Sequence, residues 1–133
     1  MKIMSSDKDF NKKEYYSRKE ISEILGGSYQ CALPHKNGEV VAGCYDPKMN
    51  PNAPAEVLVG KGRDKEKYSR KLAEEKSVVP IFLKRASARY EFMGKYRATK
   101  YSTDIQEIKD KNKSNRNSDD IAAVLYYEKD ETS

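Results

Sequence analysis

The sequence predicts an α+β domain: a curved β-sheet or pseudo-barrel of about five or more strands with short flanking helices. Three observations carry this. Short apolar or alternating runs recur along the chain, bounded by Gly, Pro and Asn turn signals. The helical stretches between them are too short, and the strands too irregularly spaced, for a doubly wound parallel sheet. The longest alternating stretch, residues 90–101, carries Gly94 in its middle. A glycine there bends a strand or lets another backbone approach closely.

The elements follow in order. Residues 1–13 are polar and charged without periodicity and read as a disordered tail, leaving 14–133 as a single domain. Ser17 and Glu20 form a capping box ahead of Ile21, Ile24 and Leu25, and Gly26-Gly27 stops that helix. Lys36-Asn37-Gly38 is a turn signal, and 39–45 reads as a strand. Residues 46–54 hold three of the five prolines and form a loop. Residues 55–59 are a short strand. GKGRD, 60–64, turns into a helix ending near Glu75, with Tyr68, Leu72 and Ala73 to bury. The apolar run 78–85 is a buried strand paired antiparallel with 90–101 across a short connection. In 90–101, alternation puts Tyr90, Phe92, Tyr96 and Ala98 on one face and Glu91, Lys95, Arg97 and Thr99 on the other. Thr103 and Gln106 are a second capping box, for a helix reaching about Lys111. After a polar loop at 111–118, residues 121–127 are apolar on both faces and read as a central strand.

Composition narrows the function. A chain of 133 residues is one domain with a modest core. No apolar run approaches the ~20 residues of a membrane span, and the N-terminus has no apolar signal core. Cys31 and Cys44 lack CxxC spacing and read as reduced, buried thiols of a cytoplasmic protein. His35 is the sole histidine and reads as a loop residue, so neither a zinc site nor a Cys–His catalytic pair is expected, and no cofactor is implied. Net charge is +5, but residues 61–100 alone hold 13 basic and 5 acidic side chains. That excess is either the footprint of a polyanion or a solvated lysine-rich surface. Its candidate phosphate contacts are Lys61, Arg63, Lys65, Arg70, Lys84, Arg85, Lys95 and Arg97. GKGRD either offers backbone N–H groups to a phosphate at a helix start or is merely a turn.

Three stretches resemble the SRA, or YDG, domain. Tyr90-Glu91-Phe92-Met93-Gly94-Lys95-Tyr96-Arg97 is similar to its GYRYDGLYKV-type segment, with Met93 where that segment has aspartate. Val59-Gly60-Lys61-Gly62-Arg63-Asp64 resembles its YTGxGGRD segment, and Val79-Pro80-Ile81-Phe82-Leu83-Lys84-Arg85 its PVRVIR-type strand. The chain is also similar to a bacterial family found alone or fused to HNH nucleases, through a GCxxPxxNPxAP segment at Gly43–Pro54. Both resemblances imply a PUA-like fold. They imply duplex DNA as partner, a modified base flipped into a pocket, a role in bacterial or phage restriction, and a possible nuclease partner. Tyr45 and Asp46 stand near the positions of the pocket aromatic and acid, while Leu58 replaces the stacking tyrosine. The reading is therefore of a DNA-binding module and not an enzyme. A protein-binding adaptor or inhibitor stays open, as does a nucleic-acid hydrolase, which lacks any nuclease-like acidic motif.

Overall fold

A computed structural model describes residue 10 and residues 14–28 and 31–130. The elements are β1 (Tyr15–Tyr16), α1 (Arg18–Leu25), β2 (His35–Lys36), β3 (Glu39–Val40), β4 (Gly43–Tyr45), β5 (Glu56–Gly60), α2 (Arg63–Glu74), β6 (Val78–Ala86), β7 (Arg89–Ser102), α3 (Ile105–Lys111) and β8 (Ile121–Lys129). The main sheet runs β4-β6-β7-β8-β5, and β1 pairs with β7. Among the described residues only the β4–β6 pair is parallel. The stretch 39–45, expected as one strand, divides: β3 pairs with β2 in a small hairpin, and β4 joins the main sheet.

β6 and β7 pair antiparallel, as their short connection and apolar content require. Between the pairs Ile81↔Gly94 and Phe82↔Phe92, β7 has one residue more than β6. This is a β-bulge at Met93, and Gly94 beside it has φ 109°, a conformation that a side chain strains. The bulge changes the parity of the strand. Tyr90 and Phe92 pack with Phe10, Ile21, Cys44 and Phe82 on one side of the sheet. Met93, Tyr96 and Ala98 pack with the main core on the other. Strict alternation from Tyr90 to Ala98 therefore fails, because a one-residue insertion exchanges the faces of everything after it.

The main core holds Tyr68, Leu72 and Ala73 of α2 against Val79, Ile81 and Leu83 of β6 and Ala123, Leu125 and Tyr127 of β8. Phe10 corrects the extent of the polar tail: it is 4% exposed and stacks edge-on against Phe82 at 4.9 Å. The rest of residues 1–13 lies outside the described residues. The Ser17 capping box forms as expected. The second does not: Asp104 caps α3, accepting from Gln106 and Glu107 backbone N–H groups. A carboxylate one residue nearer the helix displaces the threonine as cap.

β4 and β5 stand at opposite ends of the strand order, yet Tyr45 of β4 and Val57 and Val59 of β5 share one core. The sheet thus curls until its two edges approach, but they do not pair, so the expected pseudo-barrel stays open at one seam. Side chains occupy that seam. The Leu58 N–H donates to Asn50 Oδ1 at 2.8 Å, and the Leu58 carbonyl accepts from Arg116 Nη1 at 2.9 Å. Both polar groups of this edge residue are satisfied without a neighbouring strand.

Candidate functional site

A cavity of about 480 Å³ lies at the seam. β4 contributes Cys44 and Tyr45, the following loop Asp46, Met49 and Asn50, and β5 Val57–Gly60. Asp64, Lys65, Tyr68 and Ser69 come from the start of α2, and His35 from the small hairpin. Much of this wall is apolar, and polar groups interrupt it at a few points, which is the usual make-up of a small-ligand site.

The 46–55 loop is built from consecutive turns. The Asp46 carbonyl accepts from Met49 N and Asn50 N, and Asn50 O accepts from Ala53 N. Asp46 Oδ1 accepts from Lys48 N at 2.9 Å, while Oδ2 makes no hydrogen bond among the described residues. Tyr45 is 4% exposed, and its hydroxyl shares a 2.7 Å hydrogen bond with that of Tyr127. Burial pushes the Tyr45 hydroxyl well above its ordinary range. Tyr45 is thus a fixed part of the wall. His35 and Tyr68, both lining residues, stack with ring centroids 4.0 Å apart.

The eight candidate phosphate contacts divide. Lys65 and Lys84 line the cavity. Lys61 and Arg63 are exposed on the turn leading from cavity-lining Gly60 into α2. Arg70, Arg85, Lys95 and Arg97 do not line it. Arg85 is paired with Glu91 at 2.7 Å, Arg97 donates to the Lys76 carbonyl at 2.9 Å, and Arg70 lies over the Tyr101 ring. The turn itself offers less backbone than expected. Lys61 N–H donates to the Asp120 carbonyl and Gly62 N–H to Glu66 Oε2, so neither is open to a phosphate.

Two cations at the cavity were not legible in the sequence. Arg18 of α1 lines it and reaches the Ser28 carbonyl. Arg116, from the polar 111–118 loop, lines it while donating to the Leu58 and Met49 carbonyls. Neither lies near the basic segment in sequence, and no local pattern marks them. Both cysteines line the cavity, but they differ: Cys44 is buried, whereas Cys31 is exposed, against the expectation that both are buried. Burial pushes the Cys44 thiol up to about 12. Among the described residues no group of His, Cys, Asp and Glu could hold a metal, and no helix is long and apolar enough to cross a membrane.

No protein-family profile matches the chain, and no curated protein matches it in sequence. The fold does have a solved counterpart. The SRA domain of SUVH5, crystallised with hemimethylated CG DNA, superposes with a TM-score of 0.59 at 11% identity, covering 92% of this chain and 89% of that one. The six-stranded mixed sheet with three helices that the described residues form is thus an SRA-like α+β fold.

Proposed function

We propose that this chain is a duplex-DNA-binding module that takes an extruded, modified base into the seam cavity. The observation that carries the reading is the placement of Tyr45 and Asp46 in one cavity beside the turn that opens α2, on an SRA-like fold. Extrusion costs a few kcal/mol, which stacking and hydrogen bonds inside a pocket offset. Tyr45 and the apolar wall take the ring, and Asp46 Oδ2 accepts from an exocyclic amine. Lys61, Arg63, Lys65 and Lys84, around the cavity and its adjoining turn, hold the flanking phosphates. Such a module serves bacterial or phage restriction by marking DNA for a separate nuclease.

The reading is tested by anisotropy of a labelled duplex across a salt series. Affinity should fall steeply with salt, and Lys65→Glu and Lys84→Glu should each lower the slope by about one. Arg97→Glu, on a residue bound to the Lys76 carbonyl, should leave the slope unchanged. Absence of binding to any duplex at low salt overturns the reading.

A further inference from the structure

Three polar residues are buried among the described residues: Asn50, Ser69 and Ser102. Ser102 donates to Glu107. The other two, 6% and 3% exposed, both line the seam cavity. Their hydrogen bonding is incomplete. The Leu58 N–H can only donate, so the atom of Asn50 that meets it at 2.8 Å is the carbonyl oxygen. That fixes the amide, and Nδ2, with two N–H donors, makes no hydrogen bond among the described residues. The Ser69 hydroxyl makes none either. Neither donor is among the buried unpaired atoms, so both stay accessible, and a ligand that covers them without pairing them strips their hydration.

Resting on the function proposed above, we infer that Asn50, with Ser69, determines specificity. The base they select carries a substituent with an oxygen acceptor, not a bare methyl. Ring atoms are common to plain and modified bases, so only the substituent can separate them. An apolar pocket gains little discrimination from one methyl. A pocket with fixed donors rejects a ligand that leaves them unpaired far more strongly. A methyl group against Asn50 Nδ2 would dehydrate that donor and give it no partner, at a cost of roughly tenfold or more in affinity.

The probes are two matched pairs of duplexes, with one 5-formylcytosine against one 5-methylcytosine, and one 5-formyluracil against one thymine. The formyl oxygen accepts and cannot donate. The wild-type protein should prefer the formyl member of at least one pair by about tenfold or more. Asn50→Asp keeps an oxygen for the Leu58 N–H and replaces the donor by an acceptor, so it should abolish or reverse the preference at an unchanged melting temperature. Ser69→Ala should weaken the preference, and it decides the matter if Asn50→Asp does not fold. A wild-type preference for methyl, or a formyl preference that survives in the folded variants, overturns the inference and leaves the proposed function standing. Equal binding of both pairs and of plain duplex overturns both.

Discussion

The hydroxyls of Tyr45 and Tyr127 meet at 2.7 Å in the interior, joining the edge strand β4 to β8. Each ring is 4% exposed. Tyr45→Phe or Tyr127→Phe leaves one buried hydroxyl without its partner and should cost about 1–3 kcal/mol in chemical denaturation. The double variant should cost less than the sum, because it removes both polar groups together. Burial raises both hydroxyl pKa values above the ordinary 10.0, so the neutral forms belong to the folded state. Their contribution is fully present below pH 10 and is lost as pH rises towards the folded values. The double variant should therefore lose stability less steeply above pH 10 than the wild type. An additive cycle would show that the bond contributes nothing.

Gly94 at φ 109° is the hinge of the β7 bulge. A β-branched residue there is strained whatever the surrounding space, at about 1–3 kcal/mol. Gly94→Val should lower the melting temperature by several degrees, and Gly94→Ala by less. A Gly94→Val protein as stable as the wild type would mean that the bulge relaxes without cost.

These positions mark what the sequence does and does not reveal. Capping boxes, turn glycines and apolar runs are local, so α1, α2, β6 and β8 could be read directly. The pairing of β6 with β7 followed from their short connection. The bulge at Met93 was not readable, because alternation counts residues and a bulge inserts one without changing composition. Gly94 was the only mark of it. The open seam was equally hidden, since Asn50 and Arg116 reach Leu58 from loops 8 and 58 residues away. Tyr45 and Asp46 were singled out by resemblance, whereas Arg18 and Arg116 enter the cavity through tertiary folding alone.

The two cysteines give a direct view of the cavity. Cys31 is exposed and Cys44 is buried with its thiol pushed up to about 12, so thiolate at Cys44 is scarce at neutral pH. A thiol-reactive dye should modify Cys31 rapidly and Cys44 only on unfolding. Because Cys31 lines the cavity, an occupied cavity should slow its modification. Equal rates for both thiols in the native protein would contradict the packing around β4.

The proposed role of the seam cavity is to read a base. Its most direct test is competition binding with duplexes that differ in one modified base, run on the wild type and on Asp46→Ala. The wild type should prefer one modified duplex over the plain one. Asp46→Ala no longer holds the extruded base in the cavity, where its substituent is read, so it should lose that preference while keeping most of its salt-sensitive affinity, which comes from phosphate contacts. An equal preference in both proteins, or none in the wild type, would contradict the account.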